Sequence, residues 1–128
     1  MIQARNICYH YKGCPEVLKS VGFELEAGQF LAILGNNGAG KSTLLKCFNG
    51  ILKADSGEFL LDGENLMGMT NREIARRAAF VSQTVANTQM TVHDMVMLGR
   101  RPYMKWGVSE EDHNIVHSAM ERLNISDL

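Results

Sequence analysis

The chain of 128 residues is long enough for one domain with a real core, or for part of a larger one. Its 45% hydrophobic and 21% charged residues exclude intrinsic disorder, and a net charge of −1 offers no electrostatic footprint for nucleic acid or anionic lipid. No apolar run approaches the roughly 18–20 residues of a membrane span, so direct lipid insertion is not expected and any membrane association would run through a protein partner.

The first six residues contain no apolar stretch of the kind a signal peptide needs. Cys8, Cys14 and Cys47 form no C-x-x-C pair, and their odd number suits free thiols in a reducing cytoplasm. His10, His93, His113 and His117 are scattered. His113 and His117 lie four apart but off the apolar face of their helix, which reads as a solvated pair rather than a metal site.

In chain order, residues 1–8 read as a strand, and Tyr9, His10 and Tyr11 lead into a Lys12-Gly13 turn. Val21, Phe23 and Leu25 alternate with Gly22, Glu24 and Glu26, the pattern of a half-buried antiparallel strand. Residues 30–34 are continuously apolar, as in a strand buried on both faces of a parallel sheet.

Directly after that run comes Gly35-Asn36-Asn37-Gly38-Ala39-Gly40-Lys41-Ser42-Thr43, which fits the phosphate-cradling pattern G-x-x-x-x-G-K-[ST]. Glycines let the backbone curl so that its N–H groups approach an anion, at a helix start whose free donors and dipole favour phosphate. Lys41 supplies a compact charge for the β- and γ-phosphate oxygens, and the Ser42 hydroxyl a Mg²⁺ ligand. Leu44, Leu45, Cys47, Phe48 and Ile51 then recur at helical spacing, with Gly50 able to end the helix in a left-handed cap. The pattern predicts binding of a nucleotide with Mg²⁺.

Further on, a short strand over residues 58–61 ends at the turn pair Asp62-Gly63. Thr70 and Glu73 form a capping box, and its helix offers Glu73 and Arg77 as an i,i+4 pair. Residues 78–83 read as a short buried strand ending on Gln83. Thr91 with Asp94 and Ser109 with Asp112 make two more boxes. The first helix ends at Gly99 and Pro102. The second shows Ile115, Val116, Ala119, Met120 and Leu123 on one face, with Glu110, Glu111 and Asp112 opening it on the exposed side. Met95 reads as core; Arg100 and Arg101 read as a contact for an acidic partner or as an ordinary solvated helix end.

Tyr11, the phosphate loop, Val81-Ser82-Gln83 and the run from Thr91 through Leu98-Gly99-Arg100-Arg101-Pro102 to Tyr103 together resemble the ATP-binding subunit of an ABC transporter. The last of these segments resembles the subfamily that energises import of iron–siderophore, haem and cobalamin-type chelates. The resemblance implies an α/β P-loop NTPase core with an N-terminal antiparallel β-subdomain over residues 1–86, and the start of a helical subdomain over 87–128. It implies that Tyr11 stacks on adenine, with Tyr9 next in line. Gln83 would touch Mg²⁺ and the attacking water. The helical segment would dock on membrane permease subunits, and a second copy of the ATPase would complete the pair, on the inner face of the cell membrane. The signature loop, the Mg²⁺-holding Asp, the general-base Glu and the switch His of the family have no counterpart here, so the chain reads as the N-terminal half of a longer subunit, inactive alone. The alternatives are an ABC ATPase for another cargo, a nucleotide sensor without turnover, and a different P-loop NTPase such as a kinase or GTPase.

Overall fold

The computed structural model describes residues 1–83 and 89–126, in two compact units, Met1–Ala79 and Phe80–Leu128. The expected subdomain boundary at 86/87 lies outside the described residues.

The first unit is built on an antiparallel sheet of β1 (Ile2–His10), β2 (Glu16–Leu25), β3 (Ser56–Leu61) and β4 (Glu64–Asn65), in the order β2-β1-β3-β4. β1 is the centre because it pairs on both sides, Ala4 opposite Phe23 of β2 and Phe59 of β3. The alternation of β2 is as its sequence indicates, with Val21, Phe23 and Leu25 half-buried and their neighbours exposed. Asp62 and Gly63 both take positive φ, 51° and 83°, the two-residue turn that matches strand twist, and join β3 to β4.

Helix α1 (Lys41–Phe48) packs on this sheet. It buries Thr43, Leu44 and Cys47, the last two joining Ile7, Leu18 and Phe59 in the core. Leu45 and Ile51 stay exposed, so the buried stripe is narrower than the spacing suggests. Phe59 is fully buried and meets Phe48 edge-on at 5.6 Å. Gly50, at φ 68°, ends α1: its N–H reaches Cys47 O and the next N–H, of Ile51, reaches Lys46 O. That pairing satisfies the last carbonyls and needs a left-handed residue. A Cβ on Gly50 would also stand 2.7 Å from Ile74 Cδ1. After a 3₁₀ turn (Leu66–Gly68), helix α2 (Asn71–Ala75) opens on the predicted box of Thr70 and Glu73.

Two strand expectations fail. Residues 30–34 form no ladder; Phe30 is 92% and Leu34 89% exposed, and only Ile33 packs against the core. A parallel strand exists only when neighbours accept its backbone hydrogen bonds, and none of the described residues lies beside it as a strand. The run instead rims an apolar hollow of about 250 Å³ with Ile2, Phe23, Leu25 and Phe48. Residues 78–83 are also outside any sheet, with Val81 exposed. The Glu73–Arg77 pair is replaced as well: Glu73 is taken up by the Thr70 N–H and hydroxyl, while Arg77 pairs with Glu64.

The second unit contains α3 (Val92–Leu98) and α4 (Glu110–Arg122), packed through Met97, Val116 and Met120. Met95, expected in the core, is at the surface, and Met97 two residues on takes its place. Ile115 and Leu123 are exposed rather than facing the core. The Thr91–Asp94 box is half formed. Thr91 Oγ1 accepts from the Asp94 N–H, but its hydroxyl donates to the Asp94 carboxylate. The Ser109–Asp112 box is complete.

Asp112 itself corrects the reading of an exposed acidic helix start. It is 4% exposed and accepts from the Ser109 N–H and hydroxyl and from Arg100 Nε at 2.8 Å. Those bonds, the Ser109 ones first, hold its carboxyl at about 2. Arg100, bonded through Nε to Asp112 and lying 4.5 Å over the Tyr103 ring, is tied down within its own unit rather than left as an ordinary solvated helix end.

Candidate functional site

The phosphate-loop residues assemble at the N-terminus of α1. Gly40 caps the helix in a left-handed conformation, φ 90°, and is buried. A Cβ there would stand 3.0 Å from Val17 Cγ1 and from Leu18 Cδ2, so the last glycine of the loop is pressed against the start of β2. Glycine answers two demands at once, a left-handed backbone and a close approach.

The helical ladder begins with the Leu44 N–H to Gly40 O at 2.8 Å. The N–H groups of Lys41, Ser42 and Thr43 therefore belong to the first turn, where no carbonyl four residues back lies within the helix. Lys41 folds back over the loop, and its Nζ donates to the carbonyls of Gly35 at 2.6 Å and Asn36 at 2.8 Å. Ala39 N–H closes a turn onto Asn36 O, with Asn37 and Gly38 at the exposed bend between them. A positive charge, free helix donors and a glycine-rich bend thus converge on one surface. Such a place favours an anion. The Ser42 side chain is exposed in the same turn and offers the oxygen donor that Mg²⁺ prefers.

Tyr11 reaches this site from the β1–β2 connection. Its carbonyl accepts from the Cys14 N–H in a tight turn through Gly13. The Tyr11 hydroxyl lies 3.1 Å from Thr43 Oγ1, with either group able to donate, and its ring meets Tyr9 edge-on at 5.0 Å. Burial, and then Tyr11 beside it, raise the Tyr9 phenol above its ordinary range. Behind the site, burial and then Asp55 push the Cys47 thiol up to about 11. His10 ties the end of β1 to the approach to β3, through Asp55, which accepts from its N–H at 2.7 Å and sits 2.8 Å from Nδ1.

Gln83 is exposed and belongs to the second unit. The histidine pair is split: His113 stacks on His93 at 5.6 Å, while His117 pairs with Glu121. Two contacts had no signal in the sequence. The Tyr11–Thr43 bond joins residues 32 apart, and the Gly40 contact with Val17 and Leu18 depends on how α1 lies on β2.

Comparison with known proteins fits this geometry. An uncharacterized ABC transporter ATP-binding protein of Methanocaldococcus jannaschii is 44% identical over 112 residues, 88% of this chain and 44% of the relative. The petrobactin import ATP-binding protein of Bacillus subtilis is 32% identical over 129 residues, covering 100% of this chain and 51% of the relative. A phosphonates import ATP-binding protein of Oceanobacillus iheyensis is 29% identical over 137 residues, covering 99% and 54%. The chain spans about half the length of the relatives it matches.

Among solved structures, a nucleotide-free ATP-binding cassette of an ABC transporter superposes with a TM-score of 0.81 at 26% identity, over 100% of this chain and 55% of that one. A dimeric cassette in a post-hydrolysis state with ADP and Pi gives 0.76 at 25%, over 97% and 57%. The fold is thus that of the N-terminal part of an ABC ATPase cassette. Residues 18–128 match the family described as ABC transporter, and the chain belongs to that family.

Proposed function

We propose that this chain is the nucleotide-binding half of an ATPase subunit that drives an ABC importer. The observation that carries the reading is the convergence of Lys41, the open first turn of α1 and the glycine bend on one anion-binding surface. Residues 35–43 wrap the triphosphate, and their N–H groups point at its oxygens. Lys41 exchanges the Gly35 and Asn36 carbonyls for β- and γ-phosphate oxygens. Ser42 would hold Mg²⁺, which would neutralise charge on the phosphates. Tyr11 offers its ring to the adenine.

In the intact subunit Gln83 orients a water in line with the γ-phosphorus. The new P–O bond forms as the bond to the β-phosphate oxygen breaks, and ADP and phosphate leave. Two such subunits share the ATP, in keeping with the dimeric cassette that this chain resembles. The α3–α4 unit docks on permease subunits at the inner face of the membrane; among the described residues no helix is long and apolar enough to cross one itself. In the intact subunit the apolar run 30–34, whose Phe30, Leu31 and Leu34 are exposed here, would be buried as a strand between further parallel strands.

The cargo we assign is an iron–siderophore or related metal chelate. It rests on the segment from Thr91 to Tyr103 and on the petrobactin relative, beside which the phosphonates relative stands as the competing cargo class. Transport of a ferric siderophore, against a phosphonate control, into vesicles holding the intact subunit and its permease tests the cargo.

The test of the activity is ATP turnover by this 128-residue chain and by the intact subunit, with Lys41→Ala in the latter. The expected result is turnover by the intact wild type only, with Lys41→Ala lowering it at least a hundredfold. An intact subunit that binds ATP and never turns it over makes this a sensing module instead.

A further inference from the structure

We propose that Thr43 is a positioning residue for the nucleobase: its hydroxyl, bonded to Tyr11, sets the aromatic ring at a defined place relative to the phosphate loop. The inference rests on the nucleotide-binding reading above. Tyr11 stands in a turn, 39% exposed, where an aromatic ring would ordinarily sample several rotamers. Two contacts restrain it. Thr43 holds the hydroxyl end at 3.1 Å, and Tyr9 meets the ring at 5.0 Å with the planes at 90°.

The anchor is rigid where the ring is not. Thr43 is 7% exposed and lies in the first turn of α1, next to Ser42 and Lys41. One residue therefore serves both ends of the ligand. Its backbone N–H belongs to the turn that takes the phosphates, and its side chain holds the ring that takes the base. A helix shift that moved the phosphate site would carry the aromatic with it. Pre-positioning of this kind strengthens binding by removing rotamer freedom before the ligand arrives. It favours a nucleoside triphosphate, which spans both ends, over a bare polyphosphate, which fills one.

The experiment compares Mg-ATP and Mg-tripolyphosphate binding to the intact subunit by calorimetry. The variants are Thr43→Val, Thr43→Ser, Tyr11→Phe and the Thr43→Val/Tyr11→Phe double. Valine keeps the shape and the backbone N–H of Thr43 and removes only the hydroxyl. One neutral hydrogen bond corresponds to a ~3–10-fold change in affinity. Thr43→Val and Tyr11→Phe should each lower ATP affinity by that factor relative to tripolyphosphate. Thr43→Ser should restore it, and the double variant should be no worse than either single one. Tyr11→Phe breaks the same bond from the exposed side, so the test does not depend on valine being tolerated at the buried position.

Equal losses for both ligands would overturn the proposal and place Thr43 on the phosphates. Additive losses, or no loss from either change, would overturn it too. Failure of the wild type to bind either ligand would instead remove the nucleotide reading on which it rests.

Discussion

The two units hold themselves together in different ways. Met1–Ala79 buries Phe59 and Ile7 completely, beneath a helix and a sheet centred on β1. Phe80–Leu128 has, among its described residues, a core of Met97, Val116 and Met120, and fastens α4 to the end of α3 with a buried carboxylate. Burial of apolar area is insensitive to pH and indifferent to direction. A carboxylate held by three donors is directional and titratable. The unit with the larger apolar core carries the precise geometry at Gly40, Lys41 and Thr43, whereas the smaller one depends on electrostatics to keep two helices in register.

The strongest way to break that contrast is in the first unit. Phe59→Ala removes a fully buried ring in edge contact with Phe48, at a cost of about 3–5 kcal/mol. Thermal unfolding should show that loss, and early alkylation of Cys47 should accompany it. This thiol is buried and held up at about 11 in the folded state, so it should react well after the exposed Cys14. A change of less than 1 kcal/mol would mean that the sheet is not held by this core.

Gly40→Ala comes next. The left-handed backbone alone costs an alanine about 1–2 kcal/mol, and its Cβ meets Val17 and Leu18 at 3.0 Å. Both the melting temperature and nucleotide affinity should fall. Lys41→Ala should lower affinity with no change in melting, because the ammonium bonds only to exposed loop carbonyls. If the two variants behave alike, the loop is not braced on β2.

In the second unit, Ser109→Ala removes the N-cap and one support of Asp112, at about 1 kcal/mol. Hydrogen exchange should quicken in α4 while β1 stays protected. Exchange rising equally in both would join the units into one cooperative body.

The smallest effect is a pH dependence. Folding lowers the Asp112 carboxyl from 3.8 to about 2, so the ionised form is the one stabilised. Its contribution is complete above the ordinary value and lost as pH falls through about 2. Circular dichroism should show α4 helicity declining across that window, and Asp112→Asn should flatten the decline. A wild-type profile already flat would remove the carboxylate from the account.

Much of the first unit was legible because its signals are local. The glycine-rich loop before α1, the Gly50 cap, the Asp62-Gly63 turn, the Thr70 box and the alternation of β2, like the Ser109 box of the second unit, each lie within a few residues, where backbone sterics and short hydrogen bonds decide the outcome. What the local pattern misjudged was the company each segment keeps. Residues 30–34 have the composition of a buried strand, yet a strand is defined by its neighbours, and here they lie open. Met95 and Met97 are interchangeable by composition, and only the docking of α4 selected Met97.

The sequence by itself determined that a glycine-rich loop carrying a lysine would open a helix, because glycine conformations, helix-terminal donors and a lysine at fixed spacing are properties of nine consecutive residues. The tertiary structure alone decided that Thr43 meets Tyr11, that Gly40 leans on Val17 and Leu18, and that Arg100 turns inward to Asp112. Each of those contacts joins residues at least 12 apart in the chain. Their distances follow from packing angles that no local pattern encodes.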